Sequence, residues 1–110
     1  MHLNAYQCLA SRTIDRKRST QETLTHSLLG LCAETGELLA RYQKHLQGHP
    51  LVEDHLKKEA GDVLWMLAEF CTVNNWLLED IAKMNIEKLK ARYPNGFEAD
   101  KSLHRKEGDI

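Results

Sequence analysis

Four acidic residues stand at spacings that could support metal chemistry. Glu34 and Glu37 are three apart, and so are Glu59 and Asp62. On a helix, residues three apart share one face, one turn from each other. Each pair therefore offers two neighbouring carboxylates. With 16 acids among 110 residues, roughly two such pairs are expected by chance, so the spacing alone specifies nothing. The surroundings add weight. Asp62 opens the apolar run Val63-Leu64-Trp65-Met66-Leu67-Ala68, and Gly30, Ala33 and Gly36 leave room for close approach around the first pair. Like-charged carboxylates in such surroundings need a cation or take up protons. An all-oxygen donor set suits Mg2+ or Mn2+ rather than zinc. A carboxylate-bridged redox metal centre is disfavoured, because no Glu is followed three residues later by His.

The elements that must carry these acids are helices. Apolar positions recur at helical spacing, and strand alternation is absent. A first helix is expected over residues 3–14, with Leu3, Tyr6, Leu9 and Ala10 on one side. Ser19-Thr20-Gln21-Glu22 has the form of a capping box and starts a second helix, which runs to about His45 and stops at Gln47-Gly48-His49-Pro50. A third spans about 51–73, with Leu56, Ala60, Val63, Leu67 and Phe70 as its apolar stripe. Trp65 and Met66 fall outside that stripe, so this helix is expected to be central, with more than one packing neighbour. Asn74 or Asn75 is expected to cap a fourth helix that ends near Tyr93, before Pro94-Asn95-Gly96. The short turn between the second and third helices makes them antiparallel neighbours, so the four carboxylates could converge. The fourth helix extends an apolar face, Leu77, Leu78 and Ile81, into Asn85, Lys88 and Arg92. Beside acids holding a metal, those groups would suit a phosphate clamp.

Bulk properties narrow the field. The fold class expected is all-α, an antiparallel bundle of about four helices over residues 1–97 with a polar tail over 98–110. So short a chain buries a modest core, and completion by oligomerisation follows. A formal net charge of −1 and dispersed basic residues argue against nucleic acid as a partner. No apolar run is long enough for a membrane span, and no signal core precedes Arg12, Asp15 and Arg16. A cytoplasmic location is expected. Cys8, Cys32 and Cys71, odd in number and never in a C-x-x-C pair, read as buried free thiols. His45 and His49, beside Gly48 and Pro50, read as a polar turn rather than a zinc site.

Taken together, Ala33-Glu34-Thr35-Gly36-Glu37-Leu38 and Lys58-Glu59-Ala60-Gly61-Asp62-Val63-Leu64-Trp65 resemble the E-x-x-E … E-x-x-D signature of MazG-like nucleotide pyrophosphohydrolases. Asn85-Ile86-Glu87-Lys88-Leu89 followed by Arg92-Tyr93-Pro94 is similar to that family's N-x-x-K-L-x-x-R-Y-P segment. The resemblance implies an all-α oligomer, homodimer or homotetramer, in which neighbouring subunits complete the bundle. It implies hydrolysis of a nucleoside triphosphate, (d)NTP, to the monophosphate and pyrophosphate. Glu34, Glu37, Glu59 and Asp62 would hold Mg2+, with Mn2+ as a substitute, and Asn85, Lys88 and Arg92 would contact the substrate. Some members carry a further acid at the position of Ala33, a base for the attacking water, so the base here is left open. So are the roles of Trp65, as base-stacking platform or packing residue, and of His26. The alternative is a non-catalytic helical oligomerisation or partner-binding module related to that family.

Overall fold

Ser19 does what its sequence context predicts. Its hydroxyl accepts the Glu22 amide while the Glu22 carboxylate accepts the Ser19 amide, a reciprocal capping box that opens the longest helix. The computed structural model describes residues 1–110. It contains helices α1 (Leu3–Ser11), α2 (Thr20–Leu46), α3 (Glu53–Val73), α4 (Leu78–Arg92) and α5 (Ala99–Leu103), with no β-strand. Helix α2 ends where Gly48 adopts a positive φ of 103°. The amides of Gly48 and His49 then bond back to the carbonyls of His45 and Lys44, the paired bonds of a Schellman motif. This turn sends α3 back along α2. Their antiparallel register is recorded in two cross-links, Arg41 with Glu59 at one end and His26 with Glu69 at the other.

The turn between α3 and α4 corrects one expectation. Neither Asn74 nor Asn75 caps α4, whose N-cap is Leu77 with no side-chain capping bond. Asn75 terminates α3 instead. It adopts φ 59°, the left-handed region that Asn tolerates better than most residues, and the amides of Asn75 and Trp76 bond to the carbonyls of Thr72 and Cys71. The first amide of α4 finds its acceptor in another helix. Gln7 of α1 accepts from the Leu78 amide through Oε1 at 2.7 Å and donates through Nε2 to Thr72 Oγ1 and the Trp76 carbonyl. One buried amide thus ties α1 to both ends of the α3–α4 turn.

The apolar core is small. Ala68, Cys71 and Leu78 form it, with Leu3, Tyr6, Ala10, Leu67 and Ile81 packed around them. The stripe expected to bury α3 stays half-exposed at Leu56, Val63, Leu67 and Phe70, and Ala60 is exposed. The face of α3 turned to α2 is instead the one bearing Glu59, Met66 and Glu69, all buried. Gly30 permits this approach, because a Cβ there would overlap the Met66 sulfur. Of the three thiols expected to be buried, only Cys71 is; Cys8 and Cys32 are exposed. The polar tail carries α5 and returns Asp109 to Arg92. The radius of gyration is 17.2 Å, against about 13 Å for a compact domain of this length. Apolar side chains accordingly stand open on α2 (Leu29, Leu39, Tyr42) and α4 (Met84, Ile86). No helix is long and apolar enough to cross a membrane.

Candidate metal centre

Helices α2 and α3 meet along a ladder of side chains. From one end its rungs are Arg41 with Glu59, Glu34 with Asp62, Gly30 with Met66, and His26 with Glu69. The acids lie in the middle of both long helices, where backbone fraying is least. Glu34, Glu59 and Asp62 each bring a carboxylate oxygen within 4.8 Å of the others. Glu59 is buried, and Glu34 and Asp62 are half-buried.

The electrostatics of this cluster are unrelieved in one place. The Glu34 carboxyl is held above its ordinary range, first by burial and then by the charges of Glu37, Asp62 and Glu59, and the hydrogen bond its protonated form donates to Glu37 adds to the effect. Glu37 stands on the exposed rim of the group. Tyr6, from α1, feels the same field: burial and the Asp62 charge both push its phenol up.

Glu59 has its own partner. Arg41 donates Nε at 3.0 Å and Nη2 at 2.8 Å to Glu59 Oε1. In the sequence Arg41 stands four after Glu37, the spacing of an intrahelical ion pair, and nothing there marks it as a partner for the other helix. The structure turns it across the helix pair instead. At the far end of the ladder, His26 Nδ1 lies 2.7 Å from Glu69 Oε2. Trp65 donates its indole N–H to Thr13 Oγ1 at 2.8 Å, pinning α3 to the segment after α1.

Asn85, Lys88 and Arg92 lie apart from the acids. Only the first turns of α4 pack into the core, through Leu78 and Ile81; Asn85 and Lys88 are exposed. Arg92 directs its guanidinium to Asp109, with Nε to Oδ2 at 2.9 Å and Nη2 to Oδ1 at 2.7 Å. Within one chain no hydrogen bond or ion pair joins these three residues to the four acids. The sequence pattern that extended the apolar face of α4 into a cationic one is present, but the contact of α4 with the core cluster goes no further than Ile81.

Chemically, the cluster is a set of hard oxygen donors with crowded negative charge and one arginine against it. That donor set fits a hard divalent cation and offers no soft or nitrogen ligand. A cation there would remove the repulsion that adds to burial in lifting Glu34.

Residues 19–97 match the family model described as the MazG nucleotide pyrophosphohydrolase domain. The chain is also 30% identical over 105 residues to the gene 37 protein of Mycobacterium phage L5, an alignment covering 87% of this chain and 92% of that one. No solved structure is significantly similar.

Proposed function

Because the chain belongs to the MazG nucleotide pyrophosphohydrolase family, we propose that it hydrolyses a nucleoside triphosphate, (d)NTP, to the monophosphate and pyrophosphate with Mg2+ or Mn2+. The observation that carries this reading is the convergence of Glu34, Glu59 and Asp62 oxygens across two helices, within 4.8 Å of one another. These three carboxylates, with Glu37 from the rim, would hold the cation. A bound Mg2+ would supply neutralisation of the phosphoryl charge and a lower pKa for the attacking water. Arg41 positions the Glu59 carboxylate and fixes which of its oxygens is free. Glu37, exposed and within hydrogen-bonding reach of Glu34, serves as fourth ligand; since Ala33 brings no acid, either one of the four carboxylates also takes the water's proton or the metal's lowering of the water's pKa suffices without a separate base.

Lys88 and Arg92, assisted by Asn85, would bind the polyphosphate. In a single chain they stand away from the acids, so the reading requires α4 of a second copy, in a homodimer or homotetramer. The open apolar side chains of α2 and α4 and the extended radius of gyration support such an assembly. The substrate is proposed to reach the enzyme in the cytoplasm.

One observation favours a second reading. Arg41 already neutralises Glu59, as it would in a helical oligomerisation or partner-binding module that needs no metal. Calorimetric titration of Mg2+ with a non-hydrolysable nucleoside triphosphate separates the two. The enzyme binds metal and loses that binding in Glu59→Gln; the module binds none in either form.

A further inference from the structure

The basic residues of the tail share a cavity with those at the end of α4. Along residues 98–110 Glu98 and Asp100 come first, then Lys101, Arg105 and Lys106, then Glu107 and Asp109. Folding gathers the cations. A cavity of about 420 Å3 between the end of α4 and the tail is lined by Lys88, Arg92, Lys101, His104, Arg105 and Lys106, and Asp109 is its one acid. Glu98, Asp100 and Glu107 stay outside the lining. The volume lies within the range of small-ligand sites, and its wall carries three lysines and two arginines.

Asp109 sits among these cations as an anion. Its carboxylate takes two N–H groups of Arg92 in the forked geometry that guanidinium also offers to phosphate. A third donor contact runs from Arg92 Nη2 to the Ile110 backbone oxygen at 3.0 Å. Besides Arg92, the charges of Arg105 and Lys88 hold the Asp109 carboxyl below its ordinary range. The group therefore behaves as an internal anion seated in a site with more cations than it can neutralise.

The geometry points to a polyphosphate-binding pocket in which Lys101, Arg105 and Lys106 act with Lys88 and Arg92, and from which an incoming phosphate chain displaces Asp109. Lys101, Arg105, Lys106 and Asp109 lie beyond the region matched to the family, residues 19–97. The inference deepens the reading above, and rests on it for the ligand's identity, the phosphate chain of a nucleotide. The pocket binds phosphate through charge and hydrogen bonding, so an inorganic chain serves as probe.

The test is calorimetric titration of the full chain with sodium tripolyphosphate in chelator, beside a parallel titration with a nucleoside triphosphate. Lys101→Ala/Arg105→Ala is expected to weaken tripolyphosphate binding about tenfold, the effect of two partly exposed charge contacts. Asp109→Asn is expected to tighten it several-fold, a gain that misfolding cannot imitate. A nucleoside triphosphate should follow the same order across the variants, because the phosphates carry the contact. Equal tripolyphosphate affinity in all three proteins, or weaker binding in Asp109→Asn, overturns the pocket. Pyrophosphate release by the wild type with Mg2+ is measured on the same preparation. If release occurs while the variants bind alike, the pocket falls and the enzyme stands; if the variants differ as expected without release, the pocket stands and the enzyme falls.

Discussion

Replacing Arg41 by Ala should weaken the metal-free protein and leave the metal-loaded protein almost untouched. Glu59 is buried, its side chain 9% exposed, and Arg41 supplies two N–H donors to one of its oxygens. Hydrogen bonds to a charged group contribute about 1.5–3 kcal/mol. Arg41 is itself 39% exposed, so solvent screening reduces the expected loss to about 1–2 kcal/mol. For a domain of this size that corresponds to a fall in Tm of about 5–10 °C. A divalent cation at Glu34, Glu59 and Asp62 would neutralise Glu59 in place of the guanidinium. The Tm rise on adding Mg2+ should therefore be larger in Arg41→Ala than in the wild type. Thermal melts of both proteins, in chelator and in saturating Mg2+, give the four values required. An unchanged Tm in chelator would refute the assigned strength of the pair. A deficit equally large with and without Mg2+ would refute the claim that cation and arginine serve the same carboxylate.

Glu34→Gln should raise metal-free stability at neutral pH and abolish stabilisation by Mg2+. The Glu34 carboxyl binds its proton more tightly folded than unfolded, so its contribution to stability falls as pH rises from its ordinary 4.5 through the raised folded value. The advantage of the variant should shrink as pH is lowered toward 4.5, and an advantage constant with pH in denaturant titrations would contradict that. Gly30→Ala should cost about 1–3 kcal/mol because its Cβ meets the Met66 sulfur, whereas Gly36→Ala, with open space around it, should gain up to about 1 kcal/mol from helix propensity. Urea unfolding of both checks the pair, and a similar effect at the two glycines would undo the packing argument. Gln7→Leu should cost about 2–4 kcal/mol, since it leaves the Leu78 amide and Trp76 carbonyl without their partner. Hydrogen exchange at the Leu78 amide should accelerate in that variant, and unchanged exchange would show that the amide has another acceptor.

The helices were legible because their start and stop signals act locally. Ser19 to Glu22 carries a capping box whose bonds need only four residues, and Gly48 ends α2 through its own backbone freedom. The α3–α4 turn was misread because Asn serves equally as an N-cap and as a left-handed terminator. The choice was made by Gln7, some seventy residues away, which supplies the cap that no neighbour provides. A mid-helix Gln carries no sign in the sequence that it will be buried. The acidic pairs were legible as two faces, and the short turn brought the faces together. Which oxygens converge, and that Arg41 crosses to Glu59 rather than pairing with Glu37, depends on the register of α2 against α3. That register is set by the fit of Gly30 on Met66. The expected face of α4 failed to reach the acids for a similar reason: periodicity describes a helix surface, whereas contact depends on where the helix points after its first turns.

The most direct measurement follows products by 31P NMR, with a panel of canonical and modified deoxynucleoside and ribonucleoside triphosphates, the wild type and Glu34→Gln, in Mg2+ and in Mn2+. The expected result is pyrophosphate and nucleoside monophosphate from at least one triphosphate, with no orthophosphate, no turnover in chelator and none with the variant. Failure of the wild type to cleave any triphosphate with either metal, or cleavage that Glu34→Gln leaves intact, would contradict the assignment of the acidic cluster as the metal centre of a pyrophosphohydrolase.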